Sequence, residues 1–129
     1  MTDLELRVKK FLAARGWDRL RPGDVAKSIV IEAAELLEHF NWENPTLAEL
    51  KINRKKVAEV APELADVLIC ALELAVLLEL DAGKIVRSKL AAQSKKYPAH
   101  LMRKTRNGSD GAGALYWKIR KAYRRHSRA

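Results

Sequence analysis

Residues 24–41, DVAKSIVIEAAELLEHFN, decide the fold. At about 100° per residue, Val25, Ile29, Leu36 and Phe40 fall on one side, which predicts a single amphipathic helix over 24–41. Pro22 and Gly23 break the chain before it, and Asp24 is placed to cap its first turn. The apolar side is not purely apolar. Glu32 falls inside it and Glu35 lies on the same margin, about 60° further round, while Glu38 points to the opposite, polar side.

Working outward, the same spacing recurs. Leu4, Val8, Phe11 and Leu12 predict a helix over 3–15, ended by Gly16. A third helix reaches residue 80, and a fourth begins after Asp81 and stops before Pro98. Pro62 removes a helical hydrogen bond and crowds residue 58, so a short turn over 54–60, a bend, and then a long helix is expected. Residues 43–53 read as a loop with a short helical turn. Strand signals are nearly absent, and Asn107-Gly108 lies in a polar loop rather than between strands. Gly108, Gly111 and Gly113, with Ser109, mark a flexible joint. Beyond it, residues 114–126 (ALYWKIRKAYRRH) can form one more basic helix, with Leu115, Ile119 and Ala122 or Tyr123 on one side. The fold class is therefore all-α, with a four-helix body.

Residues 67–78 are apolar nearly all round, Glu73 excepted, which is the mark of a helix buried on every side. A four-helix body of about 100 residues has little room for an enclosed helix. Burial against a second copy of the chain is expected; burial by the chain's own first and fourth helices is the alternative.

The 129 residues (14.6 kDa) fit one domain. With 25 Lys and Arg against 16 Asp and Glu, the formal charge is +9. Residues 104–129 carry eight basic residues against Asp110, a net +7; residues 1–103 carry 17 against 15, a net +2. The chain thus reads as a nearly neutral body, 1–103, with a basic tail, 104–129. The single cysteine, Cys70, excludes an internal disulfide and a paired-cysteine zinc site, and suits a reducing compartment. The opening MTDLELRVKK lacks the apolar core of a signal peptide, and no apolar run approaches the ~20 residues of a membrane span. A cytoplasmic protein without a membrane span is the expectation.

Glu63 and Asp66 repeat, beside Val67 and Leu74, the arrangement of Glu32 and Glu35. Two like charges about 4 Å apart repel by roughly 4 kcal/mol at an effective dielectric of 20. A bound cation removes the conflict. Carboxylates alone suit a hard ion, Mg²⁺ or Mn²⁺, rather than zinc. A di-iron Glu-x-x-His pattern fails, because neither His39 nor His100 stands three residues after a Glu. One such acidic pair on a helix is commonly a solvated edge; two pairs, each beside an apolar face, favour a metal. Magnesium held this way takes further ligands from substrate phosphates, which points to nucleotide or polyphosphate chemistry.

Residues 31–42 (IEAAELLEHFNW), 63–69 (ELADVLI), Lys89 and 96–98 (KYP), in this order, resemble the MazG-like nucleoside triphosphate pyrophosphohydrolases. Residues 15–17 (RGW) and 97–101 (YPAHL) resemble more closely the single-domain, dCTP pyrophosphatase-like branch. The resemblance covers about residues 5–103 and finds no counterpart for the tail. It implies a MazG-like four-helix bundle completed by oligomerisation as a dimer or tetramer. It also implies Mg²⁺-dependent hydrolysis of (deoxy)nucleoside triphosphates to monophosphate and pyrophosphate, a nucleotide-pool sanitising activity. Carried over by residue, Glu32, Glu35, Glu63 and Asp66 would hold Mg²⁺, with Mn²⁺ as a substitute. Trp42 and Trp17 would line the base pocket, Lys89 and Lys96 would meet phosphate oxygens, and Tyr97 would stand at the mouth.

Each of these residues also has a plainer role. Trp17 and Trp42 can seal helix ends, Lys89 can snorkel, and Lys96 can serve the helix dipole. His39 reads as a partly buried, hydrogen-bonded histidine, and Cys70 as a small hydrophobe. Two positions depart from dCTP-preferring relatives, which carry His where this chain has Val8 and often Tyr where it has Cys70. Cytosine selectivity is therefore not carried over. The competing reading is a nucleic-acid-binding or partner-binding module acting through the tail, where Tyr116, Trp117 and Tyr123 interleave with basic residues.

Overall fold

The computed structural model of the chain describes residues 1–104 and 111–127. Among them all regular structure is helical: α1 (Asp3–Arg15), α2 (Pro22–Glu38), α3 (Leu47–Ile52), α4 (Arg54–Leu77), α5 (Ala82–Lys96), α6 (Ala99–Lys104) and α7 (Gly111–Ser127). The chain divides into two compact units, Met1–Gly83 and Lys84–Ala129. Among the described residues no helix is long and apolar enough to cross a membrane.

In the first unit α2 packs on α4, and α1 and α3 pack on α4 as well. Local signals account for the ends of α1. The Thr2 hydroxyl accepts from Glu5 N–H at 3.3 Å, and the Glu5 carboxylate accepts from Thr2 N–H at 2.6 Å, a capping box. Gly16, at φ 67°, closes the helix in the left-handed conformation that glycine adopts without a Cβ penalty. Asn53 caps α4, its Oδ1 accepting from Lys56 N–H at 3.0 Å.

Three expectations are corrected. Asp24 does not cap α2: Pro22 takes the first helical position, with Arg21 as the cap residue, so Asp24 stands inside the first turn. A fixed φ and a missing N–H make proline suited to that place. The helix also closes at Glu38 rather than at residue 41. Phe40 N–H turns back to Leu37 C=O at 2.9 Å, the tighter bond of a helix end.

The break expected around Pro62 is absent: α4 runs as one helix from Arg54 to Leu77 with Pro62 inside it. The covered positions Lys56, Val60, Glu63, Val67, Cys70 and Leu74 form one stripe at helical spacing straight through the proline. Packing along that stripe on both sides of the missing hydrogen bond holds the helix.

The core of the first unit is small: Val8, Leu12, Val25 and Ala75 are buried, with Glu5 beside them at 1% exposure. Glu5 is satisfied on both oxygens, the second accepting from Ala82 N–H, at the start of α5, at 2.7 Å. Among the described residues, 67–78 are only partly covered. Leu68, Ile69 and Leu78 stand exposed, and on α2 so do Val30, Ile31 and Leu37.

In the second unit, α6 packs on α7. Leu115, Tyr116, Ile119 and Arg120 form the covered side of α7; Leu115 and Ile119 lie there as expected, whereas Ala122 and Tyr123, expected beside them, are exposed. Residues 108–110 of the expected joint lie outside the described residues, and Gly111 and Gly113 open α7.

Candidate functional site

The packing of α2 on α4 brings carboxylates from the two helices together. Glu32 from α2 and Glu63 and Asp66 from α4 each offer an oxygen, and the three atoms lie within 4.8 Å of one another. Glu32 and Glu63 are half-buried and Asp66 is exposed. Glu63 and Asp66 share a side of α4 because they are three residues apart.

Electrostatics record the crowding. Burial pushes the Glu32 carboxyl above the usual carboxylate range, and the charges of Glu35 and Asp66, a hydrogen bond with Glu35 and the charge of Glu63 push the same way. Burial likewise raises the Cys70 thiol, helped by Glu73, Glu32 and Asp66. The Glu73 carboxyl is raised by burial as well.

The donor set fits a hard divalent cation. Octahedral Mg²⁺ at 2.0–2.1 Å sets its oxygen ligands about 3 Å apart when adjacent and about 4 Å when opposite. Three carboxylate oxygens already within 4.8 Å reach that spacing by small rotamer changes. Among the described residues this is the group of acidic, histidine or cysteine side chains suited to a metal, and it contains neither sulfur nor nitrogen.

Glu35 is exposed and stands beside the trio rather than in it, close enough for its charge to act on Glu32. His39, at the end of α2, places Nε2 3.8 Å from Glu63 Oε1, with the two side chains only 23% and 28% exposed. The sequence set His39 one turn beyond Glu35 without naming its partner. The signal was the seven-residue step from Glu32, two helical turns on the same face.

The remaining expected residues are placed differently. Trp42 is 95% exposed, so it seals no core within this chain. Trp17 packs edge-on to Phe11, ring centroids 5.9 Å apart. Val8 is buried in the core of the first unit, where no ligand reaches it. Lys89, Lys96 and Tyr97 belong to the second unit. There Lys96 Nζ sits 4.4 Å from the centre of the Tyr123 ring, and Tyr97 stacks on Tyr116 at 5.3 Å. Lys89 lines a cavity of about 240 Å³ with Lys96, Tyr123 and Arg124.

Known proteins share this arrangement of helices. A family model described as the MazG-like family matches residues 27–107. The dCTP pyrophosphatase 1 of Mus musculus is 31% identical over 105 residues, 80% of this chain and 62% of that protein. That of Homo sapiens is 30% identical over 105 residues, with the same shares. The chain thus spans about 62% of the length of the curated relatives it matches. The crystal structure of a pyrophosphatase from Archaeoglobus fulgidus DSM 4304 superposes with a TM-score of 0.64 at 36% identity, covering 74% of this chain and 90% of that one.

Proposed function

This chain belongs to the MazG-like family, and from that premise we propose that it hydrolyses (deoxy)nucleoside triphosphates to the monophosphate and pyrophosphate in a Mg²⁺-dependent reaction. The observation that carries the reading is the trio Glu32, Glu63 and Asp66, gathered by α2 and α4. The matched relatives named dCTP pyrophosphatase 1 and the pyrophosphatase of A. fulgidus support the reaction class.

Glu32, Glu63 and Asp66 would hold Mg²⁺, with Mn²⁺ as a substitute and Glu35 as the fourth carboxylate. When bound, the cation supplies a Lewis acid for phosphoryl oxygens and makes water a stronger nucleophile. Water adds in line at the α-phosphorus, the bond from that phosphorus to the bridging oxygen breaks, and pyrophosphate leaves. Glu35, the exposed member beside the trio, would take the proton of the attacking water. His39 stands beside Glu63 at the far end of α2.

Trp17 and Trp42 are the proposed base contacts, and Lys89, Lys96 and Tyr97 the proposed phosphate-side contacts. Base preference is not assumed to be cytosine, since Val8 is core and Cys70 is a half-buried thiol. The uncovered apolar residues of α2 and α4 support assembly as a homodimer or homotetramer, in which Trp42 gains neighbours. Residues 1–103 would form the hydrolase, with 104–129 an appended basic segment, in a cytoplasmic pool-sanitising role.

The test is a panel of ribo- and deoxyribonucleoside triphosphates with Mg²⁺ and identification of both products. Monophosphate and pyrophosphate in equal amounts support the reading. Release of orthophosphate alone, turnover of no triphosphate, or full activity in Glu35→Gln or Asp66→Asn overturns it.

A further inference from the structure

We propose that α5 and α7 together form a binding surface for single-stranded nucleic acid; it shares Lys89, Lys96 and Tyr97 with the proposed phosphate side of the hydrolase and is tested through α7 residues that the hydrolase does not use. The charge of the chain divides at the boundary of the compact units. Residues 84–129 hold 14 Lys and Arg against one acidic residue, Asp110, a net +13. Residues 1–83 hold 11 against 15, a net −4. The described part of the second unit contains no carboxylate side chain.

Those cations are organised. Two cavities, of about 470 and 240 Å³, share Gln93 and Lys96. Arg120 lines the first with Tyr97 and Tyr116; Lys89 and Arg124 line the second with Tyr123 and Ser127. Lys96 is the hinge of the pair, half-buried, with its ammonium over the Tyr123 ring at 4.4 Å and the Tyr97 ring at 5.2 Å. Arg120 lies 5.2 Å from the Trp117 ring centre and donates to the Tyr116 hydroxyl at 3.0 Å.

Four cations along two joined hollows exceed what a single phosphate group occupies, and suit successive phosphodiesters. Trp117 and Tyr123, interleaved with these cations, are each more than half exposed. Open ring faces beside backbone cations are the elements of single-strand recognition: phosphates meet the cations and unpaired bases stack on the rings. A duplex keeps its bases stacked on one another and has no use for such faces. A lipid surface would engage the cations with no stacking.

The experiment uses the full chain and a fluorescein-labelled 20-residue oligothymidylate, read by anisotropy. If the four lining cations each meet one phosphate, the log–log salt slope is about −3, and binding weakens roughly 50-fold between 50 and 200 mM salt. Arg120→Ala with Arg124→Ala halves that slope, whereas Arg120→Lys with Arg124→Lys keeps it. Trp117→Ala and Tyr123→Ala each weaken binding by about tenfold with the slope unchanged. Binding in this pattern supports the proposal. Absence of binding, an unchanged slope in the double alanine variant, equal affinity for a 20-base-pair duplex or for inorganic polyphosphate, or preference for phosphatidylserine vesicles overturns it. The nucleotide panel is read separately, so failure of one proposal leaves the other standing.

Discussion

His39 Nε2, just beyond the end of α2, lies 3.8 Å from Glu63 Oε1 on α4. The contact joins the last turn of one helix to a carboxylate of the acidic trio on the other. It puts the imidazole beside a proposed metal ligand and outside the ligand set, where a small shift would let it serve as an outer partner of the metal site. His39→Ala is expected to raise the Mg²⁺ concentration for half-maximal activity by roughly tenfold, with smaller loss at saturating Mg²⁺. A Mg²⁺ titration of activity checks this, and an unchanged midpoint with reduced maximal rate would assign His39 to the chemistry instead.

The crowding at Glu32 gives Asp66→Asn two opposite effects. Without a divalent cation, removing one charge relieves repulsion on Glu32, so the melting temperature at neutral pH is expected to rise. Activity is expected to fall by roughly 100-fold or more, and the stabilisation of the parent chain by added Mg²⁺ is expected to vanish. Thermal melts with and without Mg²⁺, beside the activity assay, check both signs.

Glu5 sets the acid limb of stability. Hydrogen bonds from Thr2 N–H, Ala82 N–H and the Thr2 hydroxyl hold its carboxyl below the usual range. A carboxyl depressed on folding contributes stability that is fully present above its unfolded pKa, about 4.3. That contribution is lost as pH falls from there through the lower folded value. Urea denaturation of Glu5→Gln is expected to show a lower midpoint than the parent at pH 7. The difference is expected to shrink as pH falls below the ordinary carboxylate range.

Glu79 carries a cost that glycine would not. It adopts φ 56° where α4 ends, while Leu80 N–H closes back on Ala75 C=O at 2.9 Å. The left-handed conformation costs a residue with a Cβ roughly 1–2 kcal/mol, offset in part by the greater freedom of unfolded glycine. Glu79→Gly is expected to stabilise the chain by about 0.5–1 kcal/mol, measured by equilibrium unfolding in the absence of nucleotide.

The uncovered faces of α2 and α4 make assembly measurable. Light scattering on the eluting protein is expected to give a multiple of 14.6 kDa. Leu68→Glu, a charge on a face 55% exposed in the single chain, is expected to shift the population to the monomer without loss of helix content.

Much of the fold is legible along the chain because helix spacing is local. The ends of α1, the short α3 and the start of α5 follow from Thr2, Gly16, Thr46 and the break at residue 81. Pro62 is instructive because local chemistry misleads there. A lost hydrogen bond argues for a bend, yet packing from Lys56 to Leu74 carries the helix through. The membership of the carboxylates is half legible. Three-residue spacing puts Glu32 with Glu35 and Glu63 with Asp66, but it cannot say which members of the two pairs meet.

By itself the sequence determined that the chain is helical, that two helices carry acidic residues beside apolar faces, and that a basic tail follows a nearly neutral body. These are properties of residue order at a period of 3.6, set within one or two turns. Tertiary structure alone decided that Glu32, Glu63 and Asp66 form the trio while Glu35 stands beside it, and that His39 reaches Glu63. It also decided that the Lys96 ammonium comes within reach of the rings of both Tyr97 and Tyr123. Each depends on the rotation and register of one helix against another. Side chains from across an interface fix that register, and no spacing within a single helix encodes it.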